Sequence, residues 1–458
     1  MPSTDPAAKG GARFGALSFR EFRLMWLAQL TSDFAANMQF FAVNWHVFEL
    51  LHGSSLVFSL FGFQVRLNGA AAGLGGVGLV RLLPIMTFAV LGGLFADAAD
   101  RRRLVMWTRA SVTLVAVVLL AAQLMGRVDM VLLYFISAAT AAMAAFDTPA
   151  RHSMLPATVP PRHLSHAVGL YSLAFRISAV LAPLVGAVLI EWFSLTAAYA
   201  AVTLSFAVPA WCAHAMRLER PEGLARAKPS VAAFVEGLQF VRGQKVLWGS
   251  FMADFLASCF TSVTVLLPIL AEIVFDSGVG GYGLLAAGQP LGAAVTSLML
   301  AYWHRLRWQG PVMVGCLFAY GAAATLVGMS HWLYLSFLML TVMGAVDTTS
   351  SMVRSLMRQV LTPDNLRGRV SSIALLFFRG GPRVGEMQAG LAAAMLGAPL
   401  AIVVGGLATV ATTALVVWRM PQILGYDGLE LDLAAVGEAA PKNTVEDARG
   451  LPKSAGTV

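Results

Sequence analysis

Four carboxylates interrupt long apolar stretches of this chain: Asp33, Asp254, Asp347 and Glu386. A charge left alone in hydrocarbon costs on the order of 3 kcal/mol, so such a group faces a partner, water or a cavity. Carboxylates so placed suit proton work. Burial favours the protonated form and a nearby guanidinium favours the ionised one, so a changing distance between them loads and releases a proton. The bland alternative is a permanent ion pair between helices. Arginines stand in the same kind of stretch. Arg379, Arg383 and Glu386 fall at i, i+4 and i+7, one face of a helix. Guanidinium groups match planar anions with two parallel hydrogen bonds. With Arg176 and the aromatic residues Trp26 and Phe40 they suit a cavity for an amphipathic anion. Charges that merely cancel inside a helix bundle are the competing account.

These residues need helices to hold them. At 100° per residue, Trp26, Asp33, Asn37 and Asn44 lie within a narrow arc, so one face of the first apolar segment is polar and aromatic. Asp33-Phe34-Ala35-Ala36-Asn37 is echoed 221 residues later by Asp254-Phe255-Leu256-Ala257-Ser258. Ala145-Phe146-Asp147-Thr148 is echoed by Ala345-Val346-Asp347-Thr348, and Ser172 to Arg176 by Leu375 to Arg379. Offsets near 200 to 221 mark an internal repeat.

The chain of 458 residues is 58% hydrophobic and 12% charged, with a mean hydropathy of +0.72. Soluble domains carry about twice that charge, so this is a polytopic membrane protein. Twelve segments are long and apolar enough to span: roughly 22–51, 73–95, 104–125, 130–149, 165–191, 195–216, 246–275, 280–303, 311–330, 332–354, 370–396 and 399–420. A strand pattern of period two is not expected, which argues against a barrel. Residues 54–72 exceed a turn and fall short of a span. They read as an interfacial segment or an extension of the second helix.

The net charge of +8 is distributed by topology. Arg and Lys crowd into alternate loops at 101–103, 151–162, 217–245, 305–307 and 354–369, and Arg127 is nearly alone in the others. The basic loops and both termini are therefore expected inside, and membrane lipids rather than nucleic acid are the expected partners of this charge. Residues 1–20 read as a loose arm and 421–458 as a disordered tail. Residues 21–216 and 246–420 read as two units, joined by a 217–245 linker with a surface helix. Ser230 is a candidate cap for that helix, and Val231, Phe234, Val235 and Leu238 recur at helical spacing. Cys212, Cys259 and Cys316 have no disulfide or metal spacing. His46 reads as a polar filler near the outer end of its segment. No cofactor, metal or enzymatic chemistry is expected. The chain contains no G-x-x-x-x-G-K-[ST] loop, which leaves an ion gradient, most simply protons, as the energy source.

The string from Gly93 to Arg103, GGLFADAADRRR with its preceding glycine, resembles the signature loop between helices 2 and 3 of the major facilitator superfamily, G-x-x-x-D-[RK]-x-G-R-[RK]. Gly93, Asp97, Arg101 and Arg102 match, while Ala98 and Asp100 depart. The resemblance is closer to the branch that contains the enterobactin exporter. FDTPARHSMLP (146–156), FVRGQKVL (240–247), GLLAAGQPLGA (283–293) and LTPDNLRGRVSS (361–372) support it. The resemblance implies an all-α fold of twelve transmembrane helices in two six-helix halves, with the substrate site between them. It implies a monomeric secondary transporter of the bacterial inner membrane. It also implies a latch at Gly93, Asp97, Arg101 and Arg102, joined by Asp147. The arginine usual in helix 4 is not found between Met130 and Phe146, and Arg109 stands as its substitute. AVLAPLVGA (179–187) resembles the antiporter motif through Pro183 and Gly186, with Ala182 and Ala187 where glycine is expected.

The expected activity is proton-driven export of a small amphipathic molecule, with a siderophore or another acidic metabolite favoured. A lipid or lysophospholipid flippase and a transporter-like sensor without flux are the alternatives. Asp33 and Arg176 each lie roughly 16 Å into their segments from the same side, and Asp254 and Arg379 roughly 12–14 Å into theirs. The sequence therefore predicts two ion pairs, Asp33 with Arg176 and Asp254 with Arg379.

Overall fold

The computed structural model describes residues 15–60, 63–98, 101–216, 231–302 and 307–428. It is built of long helices. In chain order they are α1 (Arg20–Leu51), α2 (Gly69–Ala98), α3 (Arg101–Leu124), α4 (Met130–Met154), α5 (Leu164–Trp192) and α6 (Leu195–Ala215). Then come α7 (Val231–Gly243), α8 (Lys245–Phe260), the short α9 (Leu267–Ile269), α10 (Gly278–Tyr302), α11 (Gln309–Met329), α12 (Leu333–Leu361), α13 (Arg367–Leu396) and α14 (Ala398–Arg419). Among the described residues, ten helical spans are long and apolar enough to cross a membrane. They make this a multi-pass membrane protein. α1 and α13, at 32 and 30 residues, are long enough but carry too much polarity to be counted with them.

Packing follows a regular scheme. α1 lies against α5 and α6, α2 against α4, and α3 against α4 and α6. Further along, α8 lies against α13 and α14, α10 against α12, and α11 against α12 and α14. Between these two sets the main contacts are α2 with α13 and α5 with α10. Both need small residues. A Cβ on Gly75 of α2 would come within 2.9 Å of the Gly390 Cα of α13, and one on Gly283 of α10 within 3.0 Å of the Pro183 carbonyl of α5. Helix pairs in membranes gain close contact from such residues, since lipid supplies no hydrophobic drive between helices. The Phe41 ring of α1 stacks on Tyr282 of α10 with centroids 4.2 Å apart. All of these contacts gather at the end where α1 finishes and α2 begins. Toward the other end of α2, Leu83 and Met86 become exposed, and with the exposed charged side chains of Asp347 on α12 and Arg379 on α13 they mark a polar, accessible cleft.

Three features depart from expectation. Ser55–Leu60 and Phe63–Asn68 form strands β1 and β2 of an antiparallel hairpin, with Ser55 opposite Asn68 and Leu60 opposite Phe63. The interfacial segment is thus a β-ribbon, and a period-two pattern is present: Phe63, Val65 and Leu67 alternate with Gln64, Arg66 and Asn68. Second, the segment expected over 246–275 is interrupted. α8 ends at Phe260, and α9 runs directly into a π-helical turn, Leu270–Val274. Pro268 supplies no backbone N–H there, and the Thr261 hydroxyl donates to the Gly405 carbonyl at 3.3 Å, which holds the break against α14. Third, α4 and α12 run past their apolar segments, to Met154 and Leu361. α7 packs on α8 and α13, with Val241 fully buried and Glu236 paired to Arg369 at 2.6 Å. Ser230 and Arg305 lie outside the described residues.

Candidate functional site

The first charged group is built on α1, α3, α4 and α5. Asp147 is its hub. Arg109 donates to it from Nε to Oδ1 and from Nη2 to Oδ2, both at 2.9 Å. Arg151, one turn beyond Asp147 on α4, places its Nε 2.6 Å from Oδ2 and donates from Nη1 to the Tyr171 hydroxyl at 3.1 Å. Thr108 donates to Asp147 at 3.3 Å. Asp33 accepts from Gln29, and the charges of Arg151 and Arg109 reach it. It has no direct ion pair among the described residues. Asn37 donates to the Asp33 carbonyl at 2.8 Å, and Trp26 ties α1 to α5 by donating to the Leu170 carbonyl at 2.9 Å.

The second group is built on α8 and α12. Arg354 Nη2 stands 2.7 Å from Asp254 Oδ1 and 3.9 Å from Asp347 Oδ1. The same guanidinium donates to the hydroxyls of Ser350, at 2.5 Å, and Ser351, at 2.8 Å, and lies 5.5 Å from the Phe378 ring centre. The side chains of Arg354 and Asp254 are 3% and 7% exposed, whereas that of Asp347 is 54% exposed. Asp347 is exposed, and the charge of Arg176 of α5 reaches it.

The third group lies between α2 and α13. Arg383 contacts Glu386, and Arg81 Nη1 is 3.8 Å from the other carboxylate oxygen. The Arg81 guanidinium lies 4.2 Å over the Phe40 ring. Arg379 is exposed, and the charges that reach it are those of Arg151 and Arg383, both positive.

The two predicted ion pairs are therefore corrected. Asp254 pairs with Arg354 rather than Arg379. Asp33 sits under Arg151 and Arg109, and Arg176 turns to Asp347. The reason is the length of α4 and α12. Counting apolar residues ended these segments at 149 and 354 and read Arg151 and Arg354 as the start of basic loops, but a charge with partners inside the bundle does not end a helix. α4 thus carries an arginine of its own, Arg151, at its far end, and Arg109 of α3 shares Asp147 with it. The signal was in the spacing: Asp147 and Arg151 are four residues apart, Asp347 and Arg354 seven, each pair on one helical face.

Other predicted residues are placed as follows. Asn44 is fully buried where α1 meets α10, away from the cleft. Ser258 is half-buried beside Gly381 of α13. Pro183 and Gly186 are buried, Gly186 against Phe41 and Met38 of α1, so this stretch of α5 touches α1 and α10 at once. His46 shares a hydrogen bond of 3.0 Å with the Tyr199 hydroxyl. The side chains of Gly93, Asp97, Arg101 and Arg102 lie outside those described. No group of residues able to hold a metal ion occurs among the described residues.

Seven arginines and five carboxylates make up these groups, a surplus of two positive charges on and around the cleft. The arrangement can neutralise buried acids in pairs, expose one acid to water and present unpaired guanidinium to an anion.

Known proteins match this chain over most of its length. The family model described as transmembrane secretion effector matches residues 12–431. The enterobactin exporter EntS of Escherichia coli O1:K1 / APEC is 25% identical over 365 residues, covering 77% of this chain and 80% of that protein. That of Citrobacter koseri is 26% identical over 363 residues with the same coverage. Among solved structures, the nucleoside transporter NupG superposes with a TM-score of 0.68 at 11% identity, covering 89% of this chain and all of that one. A bacterial homologue of the human lysosomal transporter Spinster, in an inward-facing conformation, gives 0.62 at 14% identity, covering 88% and 96%. With the apolar helical spans and the family model in accord, the chain belongs to the transmembrane secretion effector family of the major facilitator superfamily and is a membrane transporter of small molecules.

Proposed function

We propose that this transporter is a proton-driven exporter of small amphipathic acids, of which a siderophore is the leading example. The observation that carries the reading is the placing of Asp33. It is a carboxylate within a helix of the bundle, held by a neutral glutamine and reached by guanidinium groups that are themselves committed to Asp147. Of the candidate acids in the first group it is the one least tied to a cation, so a proton can neutralise it without breaking an ion pair. Asp254 is closed by Arg354, and Asp347 is open to the cleft. Glu386 is tied to Arg383. The positive surplus and the exposed Arg379 favour an anionic cargo, and the name of the enterobactin exporters points the same way.

The finer architecture belongs to the same reading. Twelve crossings divide into halves near 21–216 and 246–420. The packing scheme of α1–α6 recurs in α8 and α10–α14, which supports a parallel repeat with the site between halves. Alternating access then opens the cleft on each side in turn. The 217–245 stretch links the halves, residues 1–20 and 421–458 lie inside with both termini, the Gly93–Arg102 loop latches the halves, and the chain works as a monomer in a bacterial inner membrane.

Uptake of enterobactin into everted vesicles, with and without a proton gradient, tests the reading. Uptake that needs the gradient and is lost in Asp33→Asn is the expected result. Flux indifferent to a protonophore removes proton coupling. Binding without flux favours a sensor, and translocation of labelled lysophospholipid in its place favours a flippase.

A further inference from the structure

The α2–α13 crossing holds a charged group that proton coupling alone does not account for. Below the Gly75–Gly390 contact, Gly78 stands against Glu386, whose Cβ would lie 2.7 Å from an added Cβ. Arg81 comes next, and beyond it Met86 stands against Gly380 of α13, 3.2 Å from an added Cβ. Glu386 is only 5% exposed. One of its oxygens contacts Arg383; the other, Oε2, is 3.8 Å from Arg81 Nη1. That separation is beyond hydrogen-bond reach, and neither Oε2 nor Nη1 has a hydrogen-bond partner among the described residues. One carboxylate thus answers two guanidinium groups and satisfies only one. Unmade hydrogen bonds of buried charged atoms are costly. Arg81 and Arg383 act on each other electrostatically, so the group keeps one positive charge in excess. Phe40 backs the Arg81 plane at 4.2 Å, a stacking that a guanidinium keeps while it bonds an anion at its edge.

We infer that Arg81 and Arg383 form an anion subsite for amphipathic carboxylic acids, and that Glu386 is its built-in counter-ion, giving up part of its hold when the substrate acid binds. The inference rests on reading the cleft as the substrate path. It assigns Glu386 to charge balance at the subsite rather than to the proton. A planar carboxylate entering from the cleft bonds Arg81 and Arg383 together, which Glu386 does not do. A neutral molecule of the same shape finds both guanidinium groups already partly answered and gains little.

Equilibrium binding of 2-naphthoate and its neutral isostere 2-naphthamide to the purified full chain, with no gradient present, tests this. The wild type binds naphthoate in preference to naphthamide. Glu386→Gln tightens naphthoate by about tenfold, the scale of one hydrogen bond to a charged group, and leaves naphthamide unchanged. Arg81→Gln weakens naphthoate by about the same factor. Glu386→Gln acting equally on both probes, or Arg81→Gln binding naphthoate as the wild type does, overturns the inference. Should Glu386→Gln not fold, the Arg81→Gln comparison decides alone. A vesicle assay showing no gradient-dependent flux strikes the transport reading and leaves these binding differences standing. Intact proton-driven flux with no discrimination between the probes strikes only the subsite.

Discussion

Arg354→Gln and Asp254→Asn remove the two ends of one buried ion pair, and the structure predicts unequal losses. At 2.7 Å and an effective dielectric near 20, the gross attraction is about 6 kcal/mol. Desolvation of both partners offsets most of it, so the net worth of the pair is small while the cost of leaving one end alone is about 3–5 kcal/mol. Arg354→Gln strands Asp254, which is 7% exposed and has no second cation within ion-pairing distance among the described residues. Its one exit is protonation. Against an ordinary aspartate value of about 3.9, taking up a proton at pH 7 costs about 4 kcal/mol, which caps the loss. Asp254→Asn leaves Arg354 better provided. Asp347 remains 3.9 Å away and the hydroxyls of Ser350 and Ser351 still accept. That loss is expected at about 1–2 kcal/mol, the scale of a hydrogen bond to a charged group.

Unfolding in mixed detergent micelles measures both. The expected order is Arg354→Gln below Asp254→Asn below wild type, with the double variant recovering most of the Arg354→Gln loss. The Arg354→Gln deficit also depends on pH. Because the stranded carboxylate must bind a proton in the folded state, acidification relieves the deficit by about 1.4 kcal/mol per pH unit until the ordinary aspartate value is reached. Equal single losses, a strictly additive double variant, or a deficit indifferent to pH between 7.5 and 5.5 would refute the reasoning.

Other outcomes follow from the same geometry. Asp147→Asn strands Arg109 and Arg151 together, so its unfolding midpoint should fall below that of Arg151→Gln, which leaves the bidentate Arg109 pair intact. Gly390→Ala should lower the unfolding midpoint, since its Cβ would stand 2.2 Å from the Gly75 Cα; an unchanged midpoint would count against close packing at this crossing. Reporter fusions at Arg127 and Gly223 should report opposite sides of the membrane, and the same side for both would sink the proposed topology. Asp97→Asn should slow flux while leaving substrate affinity within about a factor of a few, below 1.4 kcal/mol; a large affinity loss with unchanged exchange would remove the loop's role as a latch.

The long helices were legible because lipid demands long apolar runs, and Asp33, Asp254 and Asp347 were legible because lipid rejects charge. Their partners were not. Arg151 and Arg354 lie past the apolar runs, where a basic residue reads equally as a topology signal, and only the shared helical face with Asp147 and Asp347 separates the two readings. Asn44 shows the converse. Its angle on α1 matches that of Asp33, but angle says nothing of depth, and at its depth α10 closes over the face. The β1–β2 hairpin was hidden by the apolar run of the first strand, although the alternation of the second was in plain view. Arg81 was passed over because it stands near the start of an apolar segment. α2 in fact begins at Gly69, which puts Arg81 twelve residues and about 18 Å along the helix.

The two long helices that fall short of the apolarity of a span, α1 and α13, carry four of the twelve charged side chains of these groups, Asp33 on α1 and Arg379, Arg383 and Glu386 on α13. A helix surrounded by lipid has no use for Asp33 and Asn37 or for Arg379, Arg383 and Glu386. A helix that meets water or cargo on one face does. These two helices also differ in how their charges are answered. Asp33 on α1 is an acid among arginines held elsewhere, whereas Arg379 and Arg383 on α13 outnumber the one acid beside them. The first arrangement favours the arrival of a proton and the second the arrival of an anion.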